Sequence, residues 1–119
     1  FIKYTNVPVL DGNDQPIDIY FDLTYRKIEE VRKKGGVCLV HCQAGISRST
    51  TIVIAYLIRR FNMSFKKALA FVQEKRSFVS PNLNFIGQLI KYQKKILHQK
   101  HMVYVTIWSL LIIMLLYSY

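Results

Sequence analysis

The run His41-Cys42-Gln43-Ala44-Gly45-Ile46-Ser47-Arg48-Ser49 constrains this chain more than any other stretch, because apolar segments of different character flank it. Before it, Val37-Cys38-Leu39-Val40 is short, apolar and β-branched, the pattern of a buried strand. After it, residues 49–58 are apolar enough to predict a buried helix. A loop joining a strand end to a helix N-terminus carries backbone N–H groups that have no intrahelical partner, in the positive field of the helix dipole. Such a loop holds an anion at little cost. The run therefore predicts a phosphate cradle with its own nucleophile.

The residue types agree with that chemistry. A thiol titrates at about 8.5, but at a helix N-terminus beside cationic groups it falls to roughly 3.5–7.5, so Cys42 is expected to rest as the thiolate near neutral pH. Arg48, six positions later, closes the loop. Its planar fork of donors binds two phosphate oxygens, and binds them more strongly as charge spreads in a transition state, which a lysine cannot do. Gly45 offers a positive φ or a close backbone approach where a β-carbon would crowd the oxygens. Ser49 starts the helix with a hydroxyl facing the sulfur.

His-Cys, five residues, Arg, then Ser resembles the signature of the cysteine-dependent protein phosphatases. The form Ala44-Gly45-Ile46-Ser47-Arg48-Ser49 is similar to the dual-specificity branch, whereas the tyrosine-only enzymes usually carry Gly in the place of Ser47. Val7-Pro8-Val9-Leu10-Asp11, Ala55-Tyr56-Leu57-Ile58 and the stretch from Ser80 to Leu89 are similar to that branch in type and order, so the resemblance covers residues 1–97. It implies hydrolysis of phosphotyrosine, phosphoserine and phosphothreonine in proteins through a cysteinyl-phosphate intermediate, with no metal and no cofactor.

The same resemblance assigns roles. Cys42 is the nucleophile, and the loop Cys42, Gln43, Ala44, Gly45, Ile46, Ser47 and Arg48 binds phosphate. Ser49 hydrogen-bonds the thiolate as it leaves, and would otherwise be read as a helix N-cap. His41 orders the loop and supports the thiolate. The leaving oxygen needs a proton from an acid held over the site. Asp11 takes that place behind Val7-Pro8-Val9, with Asp14 and Asp18 as rivals in the same stretch.

Elsewhere the patterns are local. Residues 1–9 read as a short strand and Asp11-Gly12-Asn13-Asp14 as a turn cluster. Tyr20, Phe21, Thr24, Ile28 and Val31 recur at helical steps, predicting a helix over residues 18–34 that Gly35-Gly36 ends. Ser64 reads as the cap of a helix to about residue 76, and Pro81 as the opening of another behind Ser80. Alternating strands and helices predict an α/β fold, a central mainly parallel sheet flanked by helices with the active loop at a strand's carboxyl end. The phosphatase-type domain is larger and begins with strands that precede Phe1. The expectation is a partial catalytic domain, residues 1–98, lacking its first strands and leaving an unpaired sheet edge.

Two cysteines give no disulfide framework, and a reactive thiolate favours a cytoplasmic setting. Cys38 reads as a small buried apolar residue. The net charge of +10 is spread as Lys and Arg pairs over several helix ends, which describes a solvated surface rather than a nucleic-acid interface. His98 and His101 have no further ligand beside them and read as solvated, so no metal site is expected. Composition and spacing say nothing of oligomeric state.

Residues 99–119 depart from the family pattern. From Met102 onward there is no charged residue, and these 18 positions would span about 27 Å as a helix, against a bilayer hydrocarbon core of roughly 30 Å. Lys94, Lys95, Lys100 and His101 precede them on what would be the cytoplasmic side, and Tyr104, Trp108, Tyr117 and Tyr119 suit membrane interfaces. The tail is read as a membrane anchor, against a helix packed on the body or the sequence of a fragment whose true end lies elsewhere. Two other functions stay open. One is a phosphoinositide or lipid phosphatase, disfavoured by Gln43 and Ile46 where lipid-directed relatives place basic residues. The other is an inactive phosphoprotein-binding module, disfavoured by the retained Cys42, Arg48 and Asp11.

Overall fold

The computed structural model describes residues 2–117, with side chains as far as Met114. A short 3-10 turn, Ile17–Tyr20, leads directly into α1, Phe21–Lys33. Then come α2, Arg48–Phe61, α3, Phe65–Lys75, and α4, Leu83–Tyr117. α2 is the centre. It is apolar on most of its surface, as a helix covered on several sides must be, and it packs against α1, α3 and α4. Ile54 and Ile58 of α2, Phe21 of α1, Ile17 and the α4 residues Phe85 and Leu89 are all fully buried. Phe21 meets Tyr92 edge-on at 4.8 Å between ring centroids.

Several ends follow the local signals. The Gly36 N–H donates to the Val31 carbonyl at 2.9 Å and the Gly35 N–H to that of Arg32 at 3.0 Å. With Gly35 at φ +71°, this is the paired C-terminal cap that the Gly-Gly dipeptide predicts. Ser64 caps α3, its hydroxyl accepting from the Lys67 N–H at 3.2 Å. α4 opens later than Ser80 and Pro81 suggest: its cap is Asn82, whose Oδ1 accepts from the Phe85 N–H at 2.8 Å.

The expected central sheet is absent among the described residues, which form no strand. Residues 37–40 form no regular element, and Val37 is 95% and Leu39 81% exposed. Cys38 is exposed too, so its reading as a buried residue is corrected. Residues 2–9 likewise form no strand, although Val9 is buried. A strand exists only when a neighbour takes its backbone donors and acceptors. No backbone hydrogen bond joins residues 2–9 to residues 37–40 among the described residues. β-branched composition measures fit to a pleated, half-buried surface and cannot supply the second strand.

α1 is fixed to α2 by charge. Asp22 pairs with Arg59 at 2.8 Å, and the Arg59 guanidinium lies 3.8 Å over the Tyr25 ring. Glu29 accepts from Arg32 at 2.9 Å and from the Tyr56 hydroxyl at 2.7 Å. The Arg32 hydrogen bond, then that of Tyr56, lower its pKa from 4.5 to about 2. A carboxyl depressed by folding stabilises the fold above its unfolded value and loses that contribution as pH falls through the folded one. Stability should therefore fall between pH 4.5 and about 2 in part through Glu29. Glu29→Gln should flatten that limb in melting temperatures followed by circular dichroism, and an unchanged acid limb would remove Glu29 as its cause.

Candidate active site

The loop of residues 43–47 leads straight into α2, so the first free N–H groups of that helix face the space that Cys42 enters. The Cys42 sulfur lies 3.3 Å from Ser49 Oγ and accepts the Gly45 N–H at 3.2 Å. Burial pushes the thiol up, but the Ser49 hydroxyl and the backbone N–H groups of Ser49, Gly45 and Ile46 outweigh it and bring the pKa down from 9.0 to about 7. Ser49 stands in the first turn of α2 and is not its cap; its hydroxyl is turned to the sulfur. Removing it should raise the Cys42 pKa above 7. The test is the pH dependence of thiol alkylation in Ser49→Ala, with Cys38 replaced by Ala in both proteins. An unmoved titration would mean that the hydroxyl does not hold the thiolate.

Gly45 has φ +66°, and a β-carbon there would lie 2.8 Å from a guanidinium nitrogen of Arg76. The Arg76 side chain could give way, so it is the positive φ that favours glycine here. Arg48 donates from one terminal nitrogen to the Val9 carbonyl at 3.2 Å, which draws the segment carrying Asp11 toward the loop. Its Nε is buried and has no hydrogen-bond partner among the described residues. An unpaired buried donor is costly.

Asp11 is exposed, and its Oδ1 accepts from Asn82 Nδ2 at 2.7 Å. Asn82 in turn gives its backbone N–H to Ser47 Oγ at 3.0 Å, so one side chain and its own amide connect Asp11 to the loop. The rivals are placed differently. Asp14 is held by Gln15, and Asp18 gives its N–H to Gln88 of α4. His41 is exposed, and the hydrogen bonds at the Cys42 sulfur come from other residues. Gln43, Ala44 and Ile46 are exposed along the loop, and the Ile46 carbonyl accepts from the Ser80 N–H at 3.0 Å.

Two contributors escaped the sequence. Asn82 has a local signal, a cap-type residue just ahead of the run Phe85, Leu89, Tyr92 and Ile96. Arg76 has none, being one of many basic residues at helix ends. Its Nε donates to the Gly45 carbonyl at 3.2 Å and its guanidinium lies 4.3 Å over the Phe78 ring.

The family model for the dual specificity phosphatase catalytic domain matches residues 1–95. Human dual specificity protein phosphatase 16 is 48% identical over 96 residues, which are 81% of this chain and 14% of that protein. The crystal structure of DUSP15 superposes with a TM-score of 0.76 at 38% identity, over 77% of this chain and 59% of that one. The crystal structure of PTPMT1 in complex with PI(5)P gives a TM-score of 0.71 at 27% identity, over 76% of this chain and 58% of that one. The chain thus spans a small part of its curated relative and somewhat more than half of the solved chains. The site geometry and the matched family model lead to one conclusion: the chain belongs to the dual specificity phosphatase family.

Proposed function

We propose that the chain is a protein phosphatase acting on phosphotyrosine and on phosphoserine or phosphothreonine. The observation that carries this is the Cys42 sulfur, beside Ser49 Oγ and accepting the Gly45 N–H, at the start of the helix whose first residue is Arg48. Phosphate oxygens would take the loop N–H groups and the Arg48 fork. The Cys42 thiolate attacks phosphorus, forming the S–P bond as the P–O ester bond breaks, and the Asp11 carboxyl gives its proton to the leaving oxygen. Water then attacks phosphorus and returns a proton to Asp11. The S–P bond breaks with its electrons on sulfur, where the Ser49 hydroxyl donates to the thiolate.

The substrates are phosphorylated proteins, and the catalytic part comprises residues 1–98. Residues 99–119 carry the anchor, in a cytoplasmic protein held to a membrane. The support is the continuous exposure of residues 102–114, apolar on every side, which matches hydrocarbon rather than a protein groove. Tyr104 and Trp108 are exposed on this stretch, whereas Tyr119 and the side chain of Tyr117 lie outside the described residues.

Turnover of phosphotyrosine and phosphothreonine peptides by the same preparation tests the reading. Asp11→Asn divides the two. Alkoxide leaving groups need the proton most, so phosphothreonine turnover should fall by about 10²-fold and that of an activated aryl phosphate by only a few-fold. Equal losses on both would remove Asp11 as the acid, and absence of turnover in a folded chain would favour a phosphate-binding module.

A further inference from the structure

α4 begins at the site and ends in the apolar tail without a break. Its cap, Asn82, is bonded to Asp11 and to Ser47 of the phosphate loop. Beyond it, Phe85, Leu89 and Ile96 are buried against the body, and Lys100 makes a contact with Asn62 at 3.0 Å. From Met102 every described side chain is exposed. No proline occurs in α4 and its one glycine is Gly87, so the helix has none of the usual sources of a kink between the docked half and the tail. The molecule is accordingly 63 Å long against 35 and 27 Å in its other dimensions.

The charges mark where a bilayer surface would fall. α4 has no acidic residue, and Lys94, Lys95 and Lys100 precede the uncharged stretch, as suits contact with anionic headgroups. From Leu83 to Lys100 the helix rises about 26 Å. Tilted by as much as 40° from the membrane normal, it would still lift its first turn about 20 Å. The headgroup layer of one leaflet is only roughly 5–8 Å deep. The Cys42 loop is at the far end of the docked half from the membrane.

We infer that α4 is a rigid strut that holds the site about 20–26 Å above the bilayer, beyond the headgroups of the membrane that anchors it. The substrates this geometry selects are phosphoesters on protein segments that stand off the membrane, and lipid phosphates in the same leaflet are out of reach. The inference rests on the anchor reading, and it separates this chain from a lipid phosphatase by distance rather than by pocket chemistry.

The test uses the full chain reconstituted in phosphatidylcholine vesicles containing phosphatidylserine. Flotation first reports whether the chain resides in the membrane. A fluorophore on Asn13→Cys, with Cys38 and Cys42 replaced by Ser, then measures energy transfer to acceptor-labelled headgroups. Asn13 is exposed beside Gly12, whose carbonyl accepts from Asn84 in the first turn of α4. The expected separation is about 20 Å or more, shortened and broadened when Gly-Gly-Pro-Gly-Gly is inserted after Lys100. With both cysteines restored, a soluble phosphotyrosine peptide should be turned over at least tenfold faster than a phosphoinositide in the same vesicles. A label within about 10 Å of the headgroups, equal lipid turnover, or indifference to the insertion overturns the strut. Failure to float overturns the anchor reading beneath it, and the strut with it.

Discussion

Cys42→Ser abolishes turnover of aryl phosphates and phosphopeptides, a loss on the order of 10⁴-fold or more, while far-ultraviolet circular dichroism keeps its helical signal. The thiol titrates at about 7 because hydroxyl and N–H donors converge on it. A serine hydroxyl in the same place stays protonated and has no comparable nucleophile to offer. The substitution conserves the contacts, since an oxygen accepts the Gly45 N–H and faces Ser49 as the sulfur does. Equilibrium binding of a phosphotyrosine peptide should accordingly persist within a few-fold, measured by calorimetry. Retained turnover would sink the cysteine mechanism, and retained turnover with lost binding would place the reaction elsewhere on the chain.

Arg48→Lys should cost roughly 10³-fold in kcat/KM for the same substrates. The charge is kept, so a simple electrostatic account expects a small effect. What is lost is the fork: Nε is buried without a partner among the described residues, and a terminal nitrogen holds the Val9 carbonyl at 3.2 Å. A lysine ammonium cannot serve both directions. The melting temperature should move little, because Arg48 lies at the edge of the core. A loss below tenfold would mean that the loop N–H groups alone carry phosphate recognition.

The site was more legible than the fold, for a physical reason. Cys42, Gly45, Arg48 and Ser49 lie within eight residues, so the geometry that joins them is nearly fixed by one loop and one helix start. The Gly35-Gly36 stop and the Ser64 cap are local in the same sense. The apolar, β-branched residues 37–40 suggest a strand, but strand identity depends on a partner that no local pattern encodes, and Val37, Cys38 and Leu39 are exposed. The importance of Asn82 has no local signature beyond a helix cap, since it lies in contacts with Asp11 and Ser47, 71 and 35 positions away.

Asn82 has a thermodynamic consequence. The same amide side chain caps α4 through the Phe85 N–H and steadies Asp11, while its backbone N–H holds Ser47. Fraying of the first turn of α4 would loosen the Asp11 segment and the Cys42 loop together, while Arg48–Val9 and Ser80–Ile46 still hold them. Hydrogen exchange at the Phe85 amide therefore reports the free energy of releasing the Asn82 contacts to both segments, far along the sequence from Cys42.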